Sequence, residues 1–225
     1  MRLVLLGLPG AGKGTQGGRI SEKQGIPHIS TGSMIRAVIA SGSKLGSVVD
    51  SYISRGHLIP DDIAIVMLKE RLRMDDCSTG WILDGFPRTV AQAKHLDATL
   101  MQEGIKLDYA FDIRISEEEA IRRIEQRRMC RECGEAYHLL YYPPTQQKVC
   151  DKCSGELYQR PDDNRQTALQ RLGVHMKQTH PVVHYYAQSG RLISINGERE
   201  IELVFAGVDI AFSLLLDTGC AGEVR

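Results

Sequence analysis

Apolar residues fall in short runs along the chain, and most of these runs have the length of a strand. Residues 2–6 are apolar after the first position and do not alternate, as expected of a parallel strand buried on both faces. Residues 28–30 and 81–83 predict two further short strands. Apolar residues alternate with polar ones at 111–115, and residues 191–195 form a last run. The pattern therefore predicts five strands separated by helical segments.

Apolar residues at helical spacing fill the stretches between the strands. In residues 89–103, for example, a stripe at helical spacing predicts a core-facing helix; its members are Val90, Ala93, Leu96, Leu100 and Met101. Other helices are predicted at 15–24, 34–40, 45–55, from 60, from 117, around Arg171 up to a break at Pro181, from there to Gln188, and up to about Leu216. Residues 116–119 match a capping box, and residues 217–225 are expected to fray.

A glycine-rich loop follows the first strand and leads into the first helix. Such a loop turns backbone N–H groups toward an anion, and a helix N-terminus and a lysine add positive charge. The residues predicted to surround a phosphate are Gly10, Ala11, Gly12, Lys13, Gly14 and Thr15. The hydroxyl of Thr15 comes one place later than in the usual phosphate-loop pattern, which leaves its metal ligation open. A tight turn with a surface lysine is the alternative interpretation.

Asp84 and Arg88 follow the strand at 81–83 and extend the candidate site. Ligands of open parallel sheets bind at the carboxyl ends of the strands. Asp84 is suited to hold Mg²⁺ through water there, and Arg88 can bind a phosphate with two donors. An aspartate that only caps the next helix is less favoured, because Thr89 already offers that cap.

Four cysteines have the spacing of a zinc ribbon. Cys130 and Cys133 form one C-x₂-C pair, and Cys150 and Cys153 form a second pair sixteen residues later. Four thiolates leave no open position on zinc, so the predicted site is structural; disulfides and free thiols are the alternatives. The two remaining cysteines are interpreted as a packed thiol at Cys77 and a tail thiol at Cys220.

Composition narrows the partners of the chain. The 225 residues carry 28 basic and 28 acidic side chains, so no global basic field favours nucleic acid or an anionic membrane. The N-terminal apolar run is too short for a signal peptide, and no apolar stretch has membrane-spanning length, so a cytoplasmic protein is expected. Four arginines, at 122, 123, 127 and 128, are predicted at the end of one helix, beside the cysteines. Bound anions explain this cluster better than a solvated face.

Together these motifs resemble the bacterial adenylate kinases of the long type, which carry a zinc-binding lid. The resemblance covers residues 1–216 and rests on the glycine loop at 7–15, Ser30-Thr31-Gly32, residues 84–89, the four cysteines and residues 160–164. It implies an α/β fold with a five-stranded parallel sheet flanked by helices. The implied domains are a core at 1–29, 60–126 and 164–225, an AMP-binding insertion at 30–59 and a lid at 127–163.

The resemblance also implies a role for each matching residue. The residues implied to bind ATP are Gly10, Ala11, Gly12, Lys13, Gly14, Thr15, Arg127, Ala136, Tyr137 and Arg199. Those implied to bind AMP are Thr31, Arg36, His57, Leu58, Ile59, Gly85, Phe86, Arg88, Gln92, Arg160 and Arg171. The implied catalytic set is Lys13, Asp84, Arg88, Arg123, Arg127, Arg160 and Arg171.

Five positions bear on how closely the chain follows the family pattern. Ser33 stands where the family commonly has an aspartate near the magnesium waters, and Gln126 replaces a frequent glycine at the lid hinge. Cys153 stands where some relatives have aspartate, which favours zinc. His57 and Arg199 are expected to act largely through their backbone.

The expected function is reversible phosphoryl transfer from Mg-ATP to AMP by a monomer that binds neither nucleic acid nor membrane. A kinase for another nucleoside monophosphate is the nearest alternative, and Thr31 and Gln92 favour adenine. A nucleotide-gated zinc-ribbon module that binds nucleic acid is a second alternative, which the zero net charge disfavours. A binding protein with a degenerate loop is a third, disfavoured by the presence of Lys13, Asp84 and the arginines.

Overall fold

The computed structural model describes residues 1–219, and within them eight strands form two sheets. In chain order the strands are β1 (Arg2–Leu6), β2 (His28–Ser30), β3 (Trp81–Asp84), β4 (Tyr109–Arg114), β5 (Arg127–Cys130), β6 (Ala136–His138), β7 (Leu157–Tyr158) and β8 (Leu192–Asn196). The larger sheet is parallel, with the order β2-β3-β1-β4-β8. The predicted five-stranded parallel sheet is therefore confirmed.

Helices cover both faces of this sheet. They are α1 (Lys13–Gln24), α2 (Thr31–Ala40), α3 (Lys44–Ile53), α4 (Asp61–Leu72), α5 (Val90–Gln102), α6 (Glu117–Glu125), α7 (Arg165–Val174), α8 (His180–Gln188) and α9 (Ile201–Gly219). Val4 and Leu6 pack into one core cluster, whereas Leu3 and Leu5 pack into another. Because both faces of β1 are buried, its sequence is apolar without alternation.

The order of the strands determines where the site lies. β1 is central and pairs with β3 on one side and β4 on the other, with Leu5 opposite both Asp84 and Phe111. The loop after β1 therefore emerges beside the end of β3. Ligands of open parallel sheets bind where neighbouring connections diverge in this way.

The small sheet is formed by the segment of the chain between α6 and α7, and this segment also carries the four cysteines. Its strands are antiparallel in the order β6-β5-β7, with Arg127 opposite His138 and Cys130 opposite Leu157. Arg127 and Arg128 belong to β5, so the prediction that they end the preceding helix was wrong. They leave the helix because α6 ends at Glu125 and the chain turns at Gln126 into the small sheet.

Several predicted boundaries differ from the structure for local reasons. The helix predicted from residue 34 starts at Thr31, because the Ser30 side chain accepts a hydrogen bond from the Ser33 N–H. Pro181 does not break a helix; it lies in the first turn of α8, where proline is tolerated, after a π-helical turn at His175–Thr179.

Three further corrections concern single side chains. Met101, predicted in the core stripe of α5, is exposed, because it lies on the solvent side of the last turn of the helix. The β4 run does not alternate in burial, because Asp112 is buried beside Arg114, whose Nε donates to it over 2.8 Å. Only half of the capping box forms: Ser116 Oγ accepts from the Glu119 N–H, but the Glu119 carboxylate is taken by arginines and the Ser116 N–H donates to Glu198.

The C-terminal helix runs further than predicted. α9 continues to Gly219, so residues 217–219, expected to fray, are helical. Residues 220–225 and the thiol of Cys220 lie outside the described residues. In the part of the chain that is described, no helix is both long enough and apolar enough to cross a membrane.

Candidate active site

The glycine loop connects β1 to α1, which is the strand–loop–helix order predicted from the sequence. A side chain at Gly7 would place a Cβ 2.4 Å from the carbonyl oxygen of Ile113, so the loop passes too close to β4 for any other residue. Helix α1 begins at Lys13, directly after Gly12 with φ of 89°. The Lys13 ammonium donates to the carbonyl oxygens of Gly7 and Leu8, at 2.9 and 2.8 Å. The lysine is thereby folded back over its own loop.

Asp84 lies beside this lysine at the end of β3. Burial raises the pKa of its carboxyl, but the neighbouring His28 ring and the charge of Lys13 outweigh that effect, so the pKa lies below its ordinary value. His28 Nε2 is 3.5 Å from Asp84 Oδ2. Gly17 in α1 leaves room for this ring, because a Cβ there would lie 2.6 Å from Nε2. An ionised carboxylate therefore borders the loop.

Five arginines from separate segments converge near Lys13. Burial, and after it the charge of Arg127, lower the pKa of Arg171 to about 9 and that of Arg160 to about 10. Arg36 and Arg88 are affected in the same direction, again by burial first. Burial lowers the pKa of Lys13 itself to about 8, with Asp84 opposing the shift and Arg88 and Arg127 adding to it. This concentration of positive charge favours a multiply charged anion.

Two aspartates partly balance the cluster. Asp163 is 1% exposed and accepts from Arg127, whose Nε is 2.8 Å from Oδ2. Arg171 contacts both Asp162 and Asp163. Arg160 has a buried Nε without a hydrogen-bond partner within the described structure. The arginines thus hold more donors than these two carboxylates satisfy.

The residues expected around AMP come from several segments, and some of them contact the backbone at the end of β3. Thr31 Oγ1 donates to the Asp84 carbonyl oxygen over 3.2 Å, and Arg36 Nη2 donates to Ser33 Oγ over 3.1 Å. Arg88 Nε donates to the Gly85 carbonyl oxygen over 2.8 Å. The segment before α4 contains His57, which is exposed, Leu58, which is half-buried, and Ile59, which is buried. Phe86 and Gln92 are each 2% exposed.

Four further predicted residues have other surroundings. Arg123 Nε donates to Glu119 over 2.6 Å, and its guanidinium lies over the Tyr141 ring. Tyr137 is buried inside the small sheet, and Ala136 pairs with Met129 on β5. Arg199 is exposed just before α9.

The four cysteines converge at one point of the small sheet. Their Sγ atoms lie within 4.8 Å of one another, with 3.4 Å between Cys130 and Cys153 and 3.6 Å between Cys133 and Cys150. These separations exceed an S–S bond of about 2.0 Å, and they suit four thiolates around one zinc ion, where Zn–S is about 2.3 Å. The donor set and its geometry therefore fit zinc and disfavour two disulfides.

Backbone turns prepare these sulfurs to ligate. Each pair lies in a tight turn, closed by a hydrogen bond from the Gly134 N–H to Cys130 O and from the Ser154 N–H to Cys150 O. Burial raises the pKa of Cys150, but Tyr137 and the backbone N–H groups of Cys153 and Lys152 outweigh it and lower that pKa to about 6. The Tyr137 hydroxyl lies 3.4 Å from Cys150 Sγ. A thiolate is the form that binds metal.

A family comparison agrees with this geometry. The family model described as "Adenylate kinase" matches residues 5–191. The chain belongs to the adenylate kinase family. It is 50% identical to the adenylate kinase of Geobacillus sp. (strain WCH70) over 208 residues, which is 92% of this chain and 96% of that relative. The adenylate kinase of Bacillus subtilis (strain 168) gives the same identity and coverage, and that of Bacillus cereus (strain B4264) is 50% identical over 210 residues.

The chain is therefore a nucleoside-monophosphate kinase. The sequence indicated the loop after β1, Asp84 and the four cysteines as candidates, but it did not indicate three polar residues that contact candidate site residues. His28 approaches Asp84, Glu119 binds Arg123, and Asp61 binds the side chains of Thr89 and Gln92. Of these, only Glu119 offered a sequence signal, through arginines three and four residues later on a helix.

Proposed function

We propose that this kinase transfers the terminal phosphoryl group of Mg-ATP to AMP, reversibly, giving two ADP. The observation that carries the proposal is the convergence of Lys13 with five half-buried arginines from separate segments. Phosphoryl transfer needs little covalent help from the protein; it needs alignment of donor and acceptor, and positive charge where charge develops.

On the donor side, the loop amides from Gly10 to Thr15 and the Lys13 ammonium bind the ATP phosphates in this proposal. Arg127 reaches the same phosphates from β5. Ala136, Tyr137 and Arg199 lie near the base, with Arg199 acting through its backbone. Arg123 now contacts Glu119. In the proposal it leaves Glu119 when the nucleotide binds and then contacts the phosphoryl group that is transferred.

Mg²⁺ accompanies ATP, and the residues present suit it. Asp84 supplies an ionised oxygen ligand beside the phosphate loop, and oxygen ligands with several retained waters are what Mg²⁺ prefers. Bound metal would offset phosphate charge during transfer. Ser33 replaces the second carboxylate that the family pattern leads one to expect, so the positioning of the metal waters depends more on Asp84.

On the acceptor side, Arg36, Arg88, Arg160 and Arg171 hold the phosphate of AMP. The residues proposed around its base and sugar are Thr31, His57, Leu58, Ile59, Gly85, Phe86 and Gln92. Gln92 is buried at the start of α5, close to the carboxyl end of β3. No residue is nominated as general base.

Water has to be excluded, because hydrolysis competes with transfer. The proposed division is a core of residues 1–29, 60–126 and 164–225, an AMP-binding insertion at 30–59 and a lid at 127–163. The two smaller domains close over their nucleotides, and zinc bound by the four cysteines stabilises the lid, which is too small to hold a core of its own. We further propose a cytoplasmic monomer without nucleic-acid or membrane partners.

A coupled assay of ADP formation from Mg-ATP with AMP, GMP, CMP and UMP tests the proposal. Rapid turnover with AMP and little with the others is expected. A preference for a different monophosphate would reassign the acceptor, and no transfer to any of the four would overturn the proposed reaction.

A further inference from the structure

The amide of Gln92 is fixed at both ends by protein groups of opposite hydrogen-bonding character. Its Nε2 donates to Asp61 Oδ1 over 2.6 Å, and its Oε1 accepts from the Arg88 N–H over 2.7 Å. A carboxylate can only accept and a backbone N–H can only donate. The amide therefore has one orientation that satisfies both neighbours.

The Asp61 carboxylate that accepts from Gln92 is itself fixed by a second hydrogen bond. Its second oxygen, Oδ2, accepts from Thr89 Oγ1 over 2.9 Å, and Thr89 Oγ1 in turn accepts from the Gln92 N–H over 3.1 Å. Asp61 lies in the first turn of α4, separated by Pro60 from the segment proposed to contact the acceptor base. The network thus ties the start of α4 to the start of α5.

Orientation matters because an amide can pair with either purine. Adenine presents an acceptor at N1 and a donor at N6, whereas guanine presents a donor at N1 and an acceptor at O6. A glutamine that is free to rotate its amide by 180° matches both bases. In the fixed orientation, the second N–H of Nε2 and the second lone pair of Oε1 remain, and this is the pair of groups that adenine requires.

We propose that Asp61 is a specificity-determining residue that excludes GMP by preventing the amide of Gln92 from rotating. The inference rests on the proposed function, in which Gln92 contacts the acceptor base. The rotated amide would place its oxygen against the Asp61 carboxylate and its NH₂ group against the Arg88 N–H. Both contacts are repulsive, so the guanine-compatible state is disfavoured before any nucleotide binds.

The variant Asp61→Asn tests this directly, because its side-chain amide can donate as well as accept. We expect kcat/KM for GMP to rise relative to that for AMP by about tenfold, the lower end of the discrimination given by a paired base contact. Asp61→Ser should act in the same direction through its hydroxyl. Asp62→Asn, a change at the exposed neighbouring residue, should leave the ratio as in the wild type. Melting curves of each variant report folding separately.

A purely structural role for Asp61 predicts a different result. Both acceptors would then lose kcat/KM by the same factor, the ratio would not move in either variant, and the proposal would be overturned. In a Gln92→Met background, Asp61→Asn should no longer change the ratio; a change that persists there would also overturn it. The wild-type enzyme is assayed with AMP and GMP before any variant. If it does not prefer AMP, the proposed function is wrong, and this failure is distinguished from failure of the inference about Asp61.

Discussion

Arg127 Nε donates to Asp163 Oδ2 over 2.8 Å, and this contact joins the first and last residues of the proposed lid. Asp163 is 1% exposed, and Arg171 of α7 lies 3.6 Å from its other oxygen. One buried carboxylate therefore connects the base of the lid to the core helix and offsets the mutual repulsion of two arginines.

Removing this carboxylate should destabilise the kinase. Loss of one partner from a buried ion pair leaves uncompensated charge, so Asp163→Ala is expected to lower the free energy of unfolding by about 3 kcal/mol or more. The matched control is Glu156→Ala, which removes an exposed partner of Arg131 in the same small sheet and should cost under about 1 kcal/mol. Urea unfolding measures the free energy of unfolding of both variants. If the two variants lost the same amount, the ion pair of Asp163 would contribute no more than an exposed one.

Arg88 should matter for turnover and little for folding. Its guanidinium is buried next to Asp84 and Arg36, and Arg88→Ala is expected to lower kcat/KM by about a hundredfold to a thousandfold. Arg73→Ala, at an exposed position after α4, is the control and should be unchanged. The coupled ADP assay reports the effect, and near-normal turnover in Arg88→Ala would remove Arg88 from the active site.

Zinc should bind in a one-to-one ratio and stabilise the lid. Cys133→Ser or Cys153→Ser is expected to lose the metal, whereas Cys77→Ser, outside the cluster, should retain it. Metal loss should lower Tm by about 2–4 °C for each kcal/mol of stability lost. Elemental analysis with melting curves checks both points, and an unchanged curve after chelation would contradict a stabilising role.

The lowered pKa of Lys13 predicts a pH dependence. With a pKa of about 8 against 10.5 for a free lysine, the folded enzyme releases this proton first as the pH rises. The kcat/KM for ATP should therefore fall above about pH 8. Between pH 8 and 10.5, Lys13 has lost its proton in the folded protein but still holds it in the unfolded chain. The free energy of unfolding therefore rises with pH over this range through the contribution of Lys13.

Lys13→Arg separates this effect from other titrations. A guanidinium stays charged over this range, so whatever activity that variant retains should show no fall near pH 8. A wild-type profile that stays flat to pH 9.5, or an identical fall in Lys13→Arg, would exclude Lys13 as the titrating group.

The parts predicted best from the sequence are those encoded by neighbouring residues. An unalternating apolar run identified β1, glycines beside Lys13 identified the loop that leads into α1, and paired C-x₂-C motifs identified the four cysteines that converge. Thr89 caps α5 as its position suggested, with its Oγ1 accepting from the Gln92 N–H.

The parts missed depend on contacts between distant residues. Asp61 meets Gln92 across 31 positions, and His28 meets Asp84 only because β2 and β3 are adjacent. Some residues also have two possible partners nearby in the sequence. The Glu119 carboxylate could accept from the Ser116 N–H or bind Arg123, and in the structure it binds Arg123. Spacing alone does not reveal which partner such a residue takes.

The most direct test of the central claim is the stoichiometry of the reaction. ATP, ADP and AMP would be quantified chromatographically over time, with and without AMP, for the wild type and for Lys13→Ala. The account predicts two ADP formed for each ATP consumed, no ATP loss without AMP, and little reaction in the variant. One ADP for each ATP, independent of AMP, would mean hydrolysis and would contradict phosphoryl transfer to AMP.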